Sequence, residues 1–136
     1  MSTIAANNSD DGRPAETLPR HLLQCGTNPN ATLDYLIAID DCATESDWLV
    51  ALRYVPDKLV LEPATLAHYI KQLMTRNLDG PEGLALAILE DINNETIPRW
   101  VEVACASRHT PQHRVLVEDR QPNWDNSALL ARLTAW

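Results

Sequence analysis

Residues 48–73 constrain the fold most, because they predict a strand, a corner and an amphipathic helix in direct succession. Residues 48–55 alternate in the manner of a half-buried strand that carries apolar side chains on both faces. Pro56 and Asp57 end the strand, since proline cannot donate to a sheet ladder and aspartate favours turns. Pro63 suits the first turn of a helix. The apolar residues of that helix recur at helical spacing: Leu66, Tyr69, Ile70, Leu73 and Met74.

Three more strands and two more helices are predicted around this unit. The strands are residues 31–41, 99–106 and 113–118, and the helices begin at Pro81 and Asn126, with Gly80 as a left-handed turn residue. A polar turn at residues 42–47 joins the first two strands as an antiparallel hairpin. The order predicts an α+β domain, in which an antiparallel four-stranded sheet carries two helices on one face. Because the open edges of such a sheet are usually paired, we expect a homo-oligomer.

The composition limits the classes of function. A chain of 136 residues that is 45% hydrophobic predicts a single domain, assigned to residues 31–136. Residues 1–30 are rich in Ser, Asn, Asp and Pro and predict a flexible tail, in which residues 20–25 could form a short docking turn. A net charge of −8 argues against a nucleic-acid surface. We expect a cytoplasmic protein that does not enter the membrane, because the chain has neither a membrane-spanning apolar run nor a secretory leader. The three cysteines, an odd number, predict free thiols.

Four segments carry a resemblance to a known family. They are CATESDW at residues 42–48, RYVPDKLVLE at 53–62, RNLDGPEG at 76–83 and IPRWVEV at 97–103. In order and spacing they resemble the tunnelling-fold nitrile reductases of queuosine biosynthesis, a tRNA-modification pathway. Those oxidoreductases reduce 7-cyano-7-deazaguanine to its aminomethyl form with NADPH. The resemblance covers residues 31–118 and implies a tunnelling-fold subunit, assembly into an oligomeric barrel, and a purine-like base as the small-molecule partner.

The resemblance also implies roles for individual residues. Cys42 would add to the nitrile carbon to give a thioimide, and Asp47 would protonate the nitrile nitrogen. Glu82 would accept N–H bonds from the guanine-like edge, and Glu62 would be a second polar contact in that pocket. Arg108 would contact the NADPH cofactor.

Departures from the family pattern bear mainly on the cofactor. The family's histidine before its glutamate is Pro81 here, and its Ser-Lys-Ser is replaced by residues 63–65. The Arg-Gly-Gly loop that lies against NADPH is replaced by residues 108–112. Base binding is therefore expected to persist better than hydride transfer. The alternative function is a non-catalytic or non-reductive tunnelling-fold protein that binds a purine or pterin.

Each assigned residue also has an ordinary structural explanation. Cys42 could be an incidental thiol, although its polar turn predicts an exposed side chain that is more reactive than Cys25 or Cys105. Asp47 could stabilise the turn through its own backbone. Glu62 and Glu82 could be first-turn acids that favour the helix dipole.

Two further hypotheses, a zinc site and a phosphate site, concern the segment after the third strand. Cys105, His109 and His113 are spaced four apart, and with Cys42 they form a set that zinc accepts. This spacing runs from a strand into a loop, where it does not align side chains, so zinc is not expected. Arg108 and its neighbours form the basic cluster of an acidic chain, suited to a phosphate or to a solvated loop.

Overall fold

The computed structural model describes residues 18–133. In chain order the elements are a 3₁₀ helix (Pro19–Leu22), β1 (Cys25–Thr27), β2 (Ile37–Ile39), β3 (Trp48–Val55), β4 (Leu59–Leu61), α1 (Pro63–Leu73), α2 (Gly80–Thr96), β5 (Trp100–Ser107), β6 (Thr110–Arg120) and α3 (Ser127–Leu130). In the described residues, β2, β3, β5 and β6 form an antiparallel sheet in that spatial order, and β1 pairs with β4 in a separate two-stranded sheet. The chain is therefore a mixed α+β protein, as predicted.

The core lies between the four-stranded sheet and the two long helices. Val50 of β3 is directly opposite Cys105 of β5, and Leu52 is opposite Val103, so these side chains share one face of the sheet. The buried stripes of α1 and α2 belong to the same apolar cluster as this face. Both helices therefore cover one face of the sheet. Within residues 18–133, no helix combines the length and the apolar character needed to cross a membrane.

The segment around the first helix follows the sequence prediction closely. β3 occupies residues 48–55 and α1 begins at Pro63. Gly80 has a φ of 66°, which confirms a left-handed turn residue between the helices. α2 continues past the predicted end at Asn93, because the N–H of Ile97 still donates to the Asn93 carbonyl.

Part of the predicted tail is folded, so its boundary at residue 30 is wrong. Residues 18–30 contain the 3₁₀ helix and β1, and Gly26 pairs with Val60 of β4. Leu23 is buried in the core. The short docking turn predicted at residues 20–25 lies in this folded part and includes Leu23. The rest of the predicted tail, residues 1–17, lies outside the described residues.

The first predicted strand is also shorter than expected, since β2 covers only Ile37–Ile39. The preceding residues form a loop that is held by side chains rather than by a ladder. Arg99 ion-pairs with Asp34 at 3.0 Å and donates to the Ala31 carbonyl. The hydroxyl of Tyr35 donates to Asn28 at 2.5 Å. These side-chain contacts hold the loop in place of strand pairing. The alternation of apolar and polar residues alone could not predict them.

Candidate functional site

Three connections meet at one end of the four-stranded sheet, and this end is the candidate site. Trp48, the first residue of β3, is opposite Ser107, the last residue of β5. The hairpin turn at residues 42–47 and the β5–β6 turn therefore lie at the same end. Glu82 reaches this end from the first turn of α2, because it contacts His113 near the start of β6. The structure thus brings Cys42, Asp47, Arg108 and Glu82 to one end of the sheet.

Cys42 does not have the exposed side chain that its polar turn predicted. It is 7% exposed and belongs to the apolar core. Its N–H donates to the Val50 carbonyl at 2.7 Å, and its thiol lies 3.3 Å from the Ile39 carbonyl oxygen. Asp41, with a φ of 47°, turns the chain after β2. Cys42 then follows with its side chain in the core.

The environment of Cys42 favours the neutral thiol. Burial raises its pKa to about 12, and the negative charges of Asp41 and Asp40 act in the same direction. A nucleophilic cysteine needs the opposite, a cation or a helix N-terminus that lowers the pKa. The prediction of an exposed thiol is therefore wrong, and the burial of Cys42 disfavours the reactivity that the sequence predicted.

Asp47 is exposed at the rim of the hairpin turn. Its carboxylate lies 3.5 Å from Nε2 of His109, and both side chains are largely exposed. Its carbonyl accepts the N–H of Arg108 at 2.8 Å. In the part of the chain that the structure describes, Asp47 does not contact the thiol of Cys42, whose partner is a backbone carbonyl.

Arg108 has a structural role at this end. Its Nε donates to the Ser46 carbonyl at 2.7 Å, and its Nη2 donates to the Ala43 carbonyl at 3.0 Å. The same Nη2 lies 2.6 Å from Oδ1 of Asp41. Arg108 therefore holds the hairpin turn against the β5–β6 turn, although its partners precede it by 62–67 positions in the sequence. Because these acceptors engage its guanidinium, the arrangement does not support its assignment to a cofactor.

Glu82 is a second exposed acid at this end. Its side chain is 57% exposed, and its Oε2 lies 3.2 Å from Nε2 of His113. It stands in the first turn of α2, where the helix dipole favours a carboxylate. The sequence indicated Glu82 as a candidate residue but did not predict its contact with His113, because the two residues are 31 positions apart. No local pattern connects a helix start with an edge strand.

Glu62 lies at the opposite end of the molecule. Its backbone N–H donates to the Gln24 carbonyl at 2.8 Å, and its carboxylate lies beside Gly26. The neighbouring Cys25 contacts the carbonyl of Glu95 in the last turn of α2, whereas Glu82 is in the first turn. At 1.5 Å per residue these turns are roughly 20 Å apart. Within one chain, Glu62 and Glu82 therefore cannot share a pocket.

The residues considered as zinc ligands lie in different surroundings. Among residues 18–133, no group of three or more His, Cys, Asp or Glu side chains could hold a metal ion. Cys105 is fully buried in the core, and burial raises its pKa to about 12. His109 and His113 instead face the carboxylates of Asp47 and Glu82.

In comparisons with known proteins, no protein-family model and no curated protein matches this chain. The resemblance to the nitrile reductases therefore rests on the four sequence segments. The roles of Glu82 in base binding and of Cys42 in chemistry both depend on that resemblance, and the structure adds that the two residues lie at the same end of the sheet.

Proposed function

We propose that the protein binds a guanine-like base at the end of the sheet where Glu82 lies, as a subunit of a tunnelling-fold oligomer. The exposed carboxylate of Glu82 carries this proposal. A 2-amino-pyrimidinone edge offers two adjacent N–H donors, and a carboxylate accepts such a pair in charge-assisted hydrogen bonds. His113 lies 3.2 Å from Oε2 of Glu82 and so limits the orientations of the carboxylate.

The substitution Glu82→Gln tests this binding mode. An amide cannot accept both N–H bonds, and a hydrogen bond to a charged group contributes about 1.5–3 kcal/mol. We expect the dissociation constant for 7-cyano-7-deazaguanine, measured by titration calorimetry, to rise about 10- to 150-fold. Glu90→Gln, an exposed acid on the same helix, is the matched control and should bind like the parent. Equal affinity of Glu82→Gln and the parent, with matched melting curves, would leave Glu82 as a helix-dipole acid only.

Assembly through sheet edges is the second part of the proposal. β6 is an eleven-residue strand, most of its side chains are exposed, and among the described strands it has one neighbour, β5. An edge of this length is normally paired or protected, because it presents a row of unpaired backbone groups. Pairing between copies would form the barrel that the resemblance implies, and it would also allow Glu62 of one copy to approach Glu82 of another.

We expect the purified protein to form a homo-oligomer of fixed size at micromolar concentration. Light scattering coupled to gel filtration measures its mass. A Gln112→Pro substitution in the exposed first half of β6 serves as the probe, because proline removes a ladder donor. Loss of the oligomer in this variant supports edge pairing. A stable monomer of the parent chain contradicts the assembly and, with it, a site shared between copies.

A nitrile-reductase activity is the second candidate function, because Cys42, Asp47 and Glu82 lie at the same end of the sheet. In its covalent step the sulfur bonds to the nitrile carbon while one π bond of the nitrile breaks. The thiol loses its proton and the nitrile nitrogen gains one. The protein therefore gains the whole mass of the base. Intact-mass measurement after incubation with 7-cyano-7-deazaguanine tests this step. Adduct formation at Cys42 supports the enzyme, whereas binding without an adduct supports the non-catalytic alternative. Oxidation of NADPH that depends on the base would show reduction directly.

A further inference from the structure

The sheet face opposite the helices contains a trough with an alanine floor. Strand alternation places Leu49 and Ala51 on this face, away from the core residue Val50 between them. Ala51 is directly opposite Ala104, and Leu49 is opposite Ala106. The trough has a volume of about 250 Å³. Its lining includes Asp40, Leu49, Ala51, Ala104, Ala106 and Arg114.

The trough exists because small residues occupy neighbouring positions on adjacent strands. Ala104 is 7% exposed and Ala106 is 3% exposed, although neither lies on the helix-covered face. The larger side chains around them form the walls, and the alanine methyl groups form a recessed apolar floor. Sites for drug-sized molecules have volumes of about 300–1,000 Å³, so this trough suits a smaller molecule with a single ring.

The charged side chains at the two rims of the trough indicate which charge a ligand should carry. Asp40 is exposed at one rim, and in residues 18–133 it has no hydrogen-bond or ion-pair partner. The neighbouring Asp41 is already paired with Arg108. Asp40 is therefore the carboxylate that is left for a ligand. It suits a flat cationic group with two parallel N–H donors, which a carboxylate binds in a bidentate manner.

The opposite rim suits the aromatic ring of such a ligand. Arg114 lies across from Ala106 on β6 and lines the trough. Because this charge has the same sign as the cationic group of the proposed ligand, that group is expected at the Asp40 rim and the uncharged part of the ring over the alanines. The buried pair of Arg53 and Glu102 lies next to the trough on the same face and carries no net charge.

From this arrangement we propose that the trough binds small aromatic cations of the amidine or guanidine class. The cationic edge pairs with Asp40, and the ring lies on Ala51 and Ala104. This site is separate from the Glu82 end of α2, and it does not depend on the proposed base-binding function.

Titration of the isotope-labelled full chain with benzamidine, followed by NMR, tests the site. We expect saturable shifts at Leu49, Ala51 and Ala104, and at least a fivefold weaker affinity in Asp40→Asn. Glu90→Gln also removes one negative charge and should bind like the parent. Equal affinities of Asp40→Asn and Glu90→Gln, or unsaturated shifts spread over the acidic surface, would mean non-specific attraction and overturn the proposal. The proposal also fails if no shift occurs at about 10 mM benzamidine, ten times a weak Kd of about 1 mM.

Filling the trough provides an independent test. Ala104→Leu places a larger side chain on the floor and should abolish the saturable shifts while the dispersed spectrum of the folded protein remains. If this variant does not fold, Ala51→Leu at the directly opposite position makes the same test. Unchanged benzamidine affinity in a folded filling variant would place the ligand elsewhere.

Discussion

Alkylation of the native protein is expected to be fastest at Cys25 and at least 100-fold slower at Cys42 and Cys105. An ordinary cysteine has a pKa of about 8.5, so a few per cent of it is thiolate at pH 7. Burial raises the pKa of Cys42 and of Cys105 to about 12, which lowers the thiolate fraction by roughly three orders of magnitude. The pKa of Cys25 is also raised, by burial and by the charge of Glu95, but this thiol is only half-buried.

The measurement is the rate of iodoacetamide labelling at each cysteine, followed by mass spectrometry of the peptides. Labelling in denaturant is the control, because the three thiols should then react at similar rates. Preferential labelling of Cys42 in the native protein would show that the hairpin turn opens, and it would restore the nucleophile that the family resemblance implies. Labelling at Cys25 alone, without an adduct of the nitrile base, would leave the base-binding function and end the catalytic one.

The substitution Arg99→Ala is expected to lower the free energy of unfolding by about 3 kcal/mol, because it removes one partner from mostly buried ion pairs. The guanidinium of Arg99 lies 3.0 Å from Asp34 and 3.1 Å from Asp57. It also donates to the carbonyls of Ala31 and Leu33. Without Arg99, two partly buried carboxylates lose their cation and the loop before β2 loses its anchor.

Denaturant unfolding monitored by circular dichroism measures this loss. Arg132→Ala, an exposed arginine near the C-terminus, is the control and should change stability by less than about 0.5 kcal/mol. An Arg99→Ala variant as stable as this control would mean that the loop is held mainly by its other contacts.

The pH dependence of the same variants provides a further check. Burial alone would raise the pKa of Asp34, but hydrogen bonds from Asn126, Trp124 and Arg99 outweigh it and lower the pKa. A carboxyl group whose pKa is lower in the folded state adds stability above its unfolded pKa of about 3.9, and this stability is lost as the pH falls through the folded pKa. Acidification below about pH 4 should therefore destabilise the parent more than it destabilises Arg99→Ala.

The sequence by itself determined the elements whose signals are local. The alternation at residues 48–55 corresponds to β3, and Pro63 starts α1 where a missing N–H is tolerated. Gly80 has the positive φ expected of a turn glycine. Each of these features depends on the backbone preferences of a few consecutive residues, which the sequence states directly.

The tertiary structure decided the surroundings of the candidate residues. The polar turn predicted an exposed Cys42, but the direction of the chain after Asp41 places the thiol in the core. Arg108 and Asp41 are 67 positions apart, and Glu82 and His113 are 31 positions apart. Such pairs form only when sheet register and helix packing bring distant elements together. The local pattern therefore identified the acids and the thiol, whereas the packing determined which of them is available to a ligand.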